Sequence, residues 1–202
     1  DSGTFLGTLA DQASMPAVSI SRAEGQELLK DLAGGPVQVD LTVGDPTAAT
    51  SHNVIAKPPG HDCETVSGGH YDSVIQAPGG NDNASGAATV VEVAGVLASE
   101  GKAGSNCFVL FGAEELGLVG SKAFVASLDA TARQKLRAYI NFDMVGFGVD
   151  TWELIGTPEL QQTAADVASS LGIDAITGSL PPRTASDHVS FMNAGIPSLM
   201  IY

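Results

Sequence analysis

The chain has 202 residues, 44% of them hydrophobic, enough for one domain with a single core and a small appendage. Nine Lys+Arg against 23 Asp+Glu leave a formal charge of −14, which excludes the basic stripe a nucleic-acid partner requires and suits a secreted or salt-tolerant protein, or one that binds cations. No stretch approaches the ~18 consecutive apolar residues of a membrane span. DSGTFLGTLA at the start lacks the basic start and apolar core of a secretory signal, so any targeting segment is expected upstream or already removed.

In chain order, PAVSI reads as the end of a short strand at Val18 and Ile20. Ser21 with Glu24 three positions later has the pattern of a capping box. Leu28, Leu29 and Leu32 share a helical face, and Gly34 with Gly35 stops the helix. PVQVDLTVG alternates Val37, Val39, Leu41 and Val43, the period of a half-buried strand. After Gly44 the composition turns loop-like and HNVIA opens what reads as a different sheet, so a boundary is expected near Asp45.

From there strands and helices alternate. TVSGGHY reads as a strand, followed by the loop APGGNDNASG and a helix through Val90, Val91, Ala94 and Leu97 that stops at Gly101. CFVLFGA is a second strand, LGLVGSKAFVASL a helix, RAYINFDMVG a strand ending in an acid, and PSLMIY a last strand. Apolar strands separated by helices imply an α/β fold in three layers: a mostly parallel, mixed central sheet covered by helices, behind a partial β-rich N-terminal appendage. Ligands collect at the carboxyl ends of strands in such sheets. Cys63 and Cys107 each precede a strand-like run, so their sulfurs could meet at one sheet edge; a disulfide and two buried free thiols both fit.

The strand ends carry metal-binding side chains: His70, the pair Glu114 and Glu115, and Asp143, with Asp82 in the loop that opens the first long helix. Singly, each is an ordinary capping or surface group. Together on one rim, the carboxylates would repel and raise one another's pKa, and a bound cation is the simplest way to hold them ionised. One imidazole among several carboxylates favours zinc or a first-row neighbour over calcium. So many acids suit two metals about 3.5–4 Å apart, which clamp the attacking and leaving oxygens of a hydrolysis. One glutamate can then hold a metal while the other takes a proton from the attacking water and passes it to the departing amine. Neighbours on a regular strand face opposite ways, so both serve only if the chain bends at Gly112–Ala113.

GGHYDS, GGNDNASG, FGAEELGLVGS, INFDMVG and SDHVSFMNAGIP stand in an order and spacing that resembles the family-28 zinc metallopeptidases, which include secreted bacterial aminopeptidases and glutamate carboxypeptidase relatives. The resemblance covers about Asn53 to Tyr202. It implies a zinc exopeptidase fold with His70, Asp82 and Asp143 on one zinc, Asp82 bridging to a second zinc held by Glu115, and Glu114 as general base. It further implies that the Asp72 carboxylate fixes the His70 tautomer, that the Asp82–Asn83 peptide is cis, and that Ser186, Asp187 and His188 line the pocket. MPAVSISRAEGQELLKDLAGGPVQVDLTV resembles the closing half of a protease-associated domain. Residues 1–44 are therefore expected to be that part, and 45–202 the catalytic domain, ending before the family's last ligand histidine. The parent protein would bind two zinc ions, the site of His70, Asp82 and Asp143 being the more complete in this chain.

The expected function is that of an extracellular zinc-dependent aminopeptidase acting on peptide or protein N-termini, with a pocket built in part from TGSLPPRTA. A non-catalytic receptor-like domain and a glutaminyl cyclase-like acyltransferase of the same architecture are the alternatives. The intact set His70, Asp82, Glu114, Glu115 and Asp143 counts against the first, and a bridging Asp82 against the second.

Overall fold

The computed structural model describes residues 17–44, 47–146, 148, 150–181 and 184–202. The chain divides into two compact units, 1–50 and 51–202. The boundary expected at Asp45 and the stretch before residue 17 lie outside the described residues.

In the first unit, α1 (Arg22–Leu32) forms with the capping box in place, the Ser21 hydroxyl accepting from Glu24 N and the Glu24 carboxylate accepting from Ser21 N. The flanking strands do not form: residues 17–20 and 36–44 carry no strand, and Val37, Val39, Leu41 and Val43 stay 37–65% exposed. Alternation marks a face suited to burial, but a strand also needs a hydrogen-bonded neighbour. Among the described residues none pairs with this segment. The leucine face of α1 is likewise unburied.

The second unit contains β1 (Val54–Ala56), β2 (Thr65–His70), α2 (Ala84–Ser99), β3 (Asn106–Phe111), α3 (Val119–Ser127), α4 (Ala130–Lys135), β4 (Ala138–Phe142), β5 (Trp152–Gly156), α5 (Pro158–Ser170), β6 (Ala175–Gly178), α6 (His188–Asn193) and β7 (Ser198–Ile201). They form a seven-stranded sheet in the order β1-β3-β2-β4-β7-β5-β6. β3, β2, β4 and β7 are parallel, whereas β1 runs antiparallel to β3 and β5 antiparallel to β7, so the sheet is mixed. The patterns above do not single out β5, α5 and β6. β5 buries the adjacent residues Leu154 and Ile155, which breaks the alternation that would mark a half-buried strand.

Adjacent strand residues face opposite sides of a sheet. A Cβ at Gly68 would meet the Tyr139 ring at 3.1 Å, and one at Gly69 the Asn83 side-chain nitrogen at 3.2 Å. Tyr139 stacks on Phe191 of α6, ring centroids 3.9 Å apart, and Asn83 opens α2, so α6 and α2 cover opposite faces. On the α6 face, Phe111, Phe124, Tyr139 and Phe191 form the aromatic centre of a core completed by Val66, Val109, Leu136 and Ile196. This packing makes the sheet a rigid base whose strand ends carry the site.

Cys63 and Cys107 are joined, Cα atoms 5.4 Å apart, because β2 and β3 are neighbours and Val66 pairs with Cys107 in register. The bond closes a loop across a separation of 44 residues, for which loop-closure entropy gives about 4 kcal/mol. Replacing both cysteines with alanine is expected to destabilise the fold by about 4 kcal/mol and lower its Tm by roughly 8–16 °C. A melting curve that coincides with the parent's would show that the crosslink contributes nothing.

Candidate metal centre

β3, β2 and β4 are adjacent and parallel, so their carboxyl ends open on one rim and present Glu114–Glu115, His70 and Asp143 together. Asp82 arrives from the loop that starts α2. His70, 1% exposed, places Nε2 3.2 Å from Asp82 Oδ1 and 3.4 Å from Asp143 Oδ1. Ligand atoms of His70, Asp82 and Asp143 lie within 4.8 Å of one another, and so do those of His70, Glu114 and Glu115. Asp143 Oδ1 and Glu115 Oε1 are buried without a hydrogen-bond partner among the described residues. Buried acceptors are ordinarily satisfied, so oxygens left over beside an imidazole nitrogen fit a divalent cation.

Two of the ligand-bearing strand ends, and the loop that brings Asp82, have unusual backbone. Ala113 (φ 58°) precedes the glutamates, Met144 (φ 58°) follows Asp143, and the Asp82–Asn83 peptide is cis. The bend expected at Gly112–Ala113 is present, with the left-handed residue being Ala113 rather than the glycine. Gly117 N and Leu118 N then close on the Glu114 carbonyl, forming the turn that displays both glutamates before α3 begins.

Asp72 acts differently from expectation. Its carboxylate stands 3.7 Å from His70 Nδ1, while its backbone carbonyl takes the ring contact at 3.0 Å. A carbonyl only accepts, so Nδ1 carries the hydrogen and Nε2 is the atom left to face the acids. The carboxylate instead accepts from Glu114 N at 3.0 Å and Glu115 N at 3.2 Å, because two amides converging in a tight turn offer it a better nest than a single ring nitrogen. Asp72 thereby links the His70 strand end to the glutamate turn.

Without a cation, the site holds protons. Burial raises Glu114 to about 8, helped by the negative charges of Asp187, Asp143 and Glu115 and opposed by His70. Burial and neighbouring acids also push Asp82 and Glu115 up. For His70, burial opposes the charged form but is outweighed by the close Asp143 carboxylate and the charges of Glu114 and Asp187, which raise it to about 10. The carboxylates that retain the imidazolium proton are those that would hold a dication in its place.

A cavity of about 460 Å³ lies over these residues, with Ile155, Leu180, Met200 and Ser186 among its walls. Asp187 and His188, expected to line it together with Ser186, do not: they open α6, are 0% and 2% exposed, and are buried where that helix packs on α3, β4 and β7. Burial drives Asp187 up to about 7, with the nearby Ser121 hydroxyl favouring ionisation without completing a hydrogen bond, and drives His188 down to about 4. A hydrogen-bond chain that the motifs do not mark runs from Tyr139 Oη to Asn141 Oδ1 and from Asn141 Nδ2 to Ser186 Oγ, both 2.7 Å, and fixes Ser186 from the core. Asn141 gave a signal in being polar at the centre of the apolar run YINF.

The sequence profile of peptidase family M28 matches residues 53–202. Aminopeptidase YwaD of Bacillus subtilis is 33% identical, over 93% of this chain and 42% of that protein. Among solved structures, an aminopeptidase from Aneurinibacillus sp. strain AM-1 superposes with a TM-score of 0.71 at 31% identity, covering 91% of this chain and 48% of its own. BSAP, a zinc aminopeptidase from Bacillus subtilis, gives 0.60 at 33% identity, over 74% of this chain and 38% of its own. The chain spans less than half the length of these relatives.

The proton balance has a consequence for stability. With Glu114 near 8 and His70 near 10, against ordinary values of 4.5 and 6.5, the folded protein keeps protons that the unfolded chain has released. These contributions are complete below the unfolded values and are lost as pH rises through the folded ones. Asp187 acts in the same sense up to about 7, and His188 in the opposite sense only below its ordinary 6.5. At up to about 1.4 kcal/mol per pH unit per proton, the Tm of the metal-free protein should fall by several degrees between pH 7 and pH 9, measured by thermal melts in chelator. Added zinc should flatten the slope. A Tm that holds or climbs over that range without metal would contradict the proton balance.

Proposed function

The chain belongs to peptidase family M28, and from that premise we propose that it forms the catalytic core of a zinc-dependent aminopeptidase acting on peptide or protein N-termini. The observation that carries this reading is the convergence of Asp82 and Asp143 on His70 Nε2, beside the Glu114–Glu115 pair. His70, Asp82 and Asp143 would hold one ion, and Glu115, with Asp82 shared, a second. Zinc, when bound, supplies Lewis-acid polarisation of the scissile carbonyl and of the attacking water.

The protein's own residues do the rest. Glu114, 9% exposed, receives the proton of the attacking water at its carboxylate and returns it to the departing amine. Cationic charge beside Glu114 lowers its pKa, so it is ionised and available as a base at neutral pH. Asp72 keeps the glutamate turn in register with His70. Ile155, Leu180 and Met200 offer an apolar wall to the first side chain of the substrate, and the surplus of carboxylates favours a protonated α-amine over an acidic group. The Cys63–Cys107 disulfide supports an oxidising, extracellular location. We assign residues 1–44 to the closing part of a protease-associated domain, a reading supported by the separate clustering of residues 1–50.

The test is hydrolysis of amino-acid anilides and of N-blocked peptides, with and without chelator. Free N-termini should be required and chelator should stop the reaction. Glu114→Gln should lower kcat at least 100-fold, the lower end for loss of a general base, with zinc content unchanged by elemental analysis. Equal cleavage of blocked and free peptides would rule out an aminopeptidase, and full activity in Glu114→Gln would remove the base.

A further inference from the structure

Asn83 is 1% exposed, and its amide makes three bonds. Oδ1 accepts from Gly86 N at 3.0 Å and from Met144 N at 3.2 Å, while Nδ2 donates to the Phe142 carbonyl at 3.0 Å. The Gly86 bond caps α2. The other two fall on the residues immediately before and after Asp143, so one side chain grips the peptide units on both sides of that carboxylate. Asn83 itself follows Asp82 in the chain. The two acids that meet His70 Nε2, distant in sequence, are therefore fixed relative to one another through a single amide group.

The surroundings leave this group little freedom. At Gly86 an added Cβ would run into the Phe142 carbonyl, so a glycine is needed for the start of α2 to approach the end of β4 this closely. Asn81, two residues earlier, makes a parallel tie by accepting from Gly146 N at 3.0 Å. Of the small polar side chains, an amide alone supplies a fixed acceptor and a fixed donor on one planar group: aspartate lacks the donor, and serine is too short to span both peptide units while still capping the helix.

We infer that Asn83 is a positioning residue for the metal centre, setting the separation of Asp82 and Asp143 and through it the affinity for the ion, beyond its role as the cap of α2. This rests on the metal-site reading above. Groups that hold ligands in place commonly change metal affinity 10–100-fold when removed.

The experiment compares the parent chain with Asn83→Ala and Asn83→Ser, since serine still caps a helix but cannot bracket Asp143. Metal-free melts identify a temperature at which each protein is folded. Zinc affinity is then measured there by competition with a chromophoric chelator, and the visible spectrum of the cobalt-loaded protein reports ligand geometry. Both variants should bind zinc 10–100-fold more weakly, with altered cobalt bands, and Asn83→Ser should melt closer to the parent than Asn83→Ala. Affinity within threefold of the parent in folded Asn83→Ser would reduce Asn83 to a helix cap and overturn the inference while leaving the metal site standing. A parent chain that takes up no zinc would overturn both.

Discussion

The rim of the β3-β2-β4 strands concentrates carboxylates around one buried imidazole, with Glu114 and Asp143 themselves largely withdrawn from water. Asp82, Glu114, Glu115 and Asp143 are assembled there, with Asp187 buried just behind, and among the described residues His70 is the one basic group their electrostatics share. The core does not require this arrangement, since an apolar strand end would pack as well without the desolvation penalty. Retained protons meet part of the imbalance in the metal-free protein. A dication meets it more completely, because it offers both charge and coordination to oxygens that have no hydrogen-bond partner among the described residues.

Two scales of structure hold the acids against their repulsion. Sheet order acts at the larger scale: three parallel strands in neighbouring positions bring residues from separate parts of the chain to one edge, over an aromatic core that resists deformation. At the smaller scale, strained exits and side-chain ties aim the individual carboxylates. Ala113 and Met144 lie in the left-handed region, Asp72 receives two amides of the glutamate turn, and Asn83 receives or donates on both sides of Asp143. Left-handed backbone at residues other than glycine persists only where surrounding bonds over-determine it, and at Ala113 and Met144 it adjoins the ligands.

The first unit behaves differently. Its helix carries its own cap and forms, while the apolar alternation of Val37 to Val43 meets no pairing strand among the described residues and remains exposed. Short-range signals and long-range requirements come apart there. A capping box is complete within four residues, whereas a sheet position depends on what lies alongside.

The same distinction separates what could be read from the residues and what could not. Motif spacing identified the strands β2, β3, β4 and β7, the helices α2 and α3, and the five side chains at their ends, because each rests on local periodicity and residue chemistry. The sequence did not show that Asp72 holds the glutamate turn with its carboxylate and the imidazole with its carbonyl, that Asp187 and His188 are buried at the start of α6, or that Asn83 brackets Asp143. Nor did it single out β5, α5 and β6, of which β5 buries adjacent rather than alternate residues. Residue type and spacing determine which groups can serve a metal. Only the folded arrangement of strand neighbours decides which backbone amide or carbonyl each side chain meets, since those partners are peptide groups and every residue but proline carries the same pair.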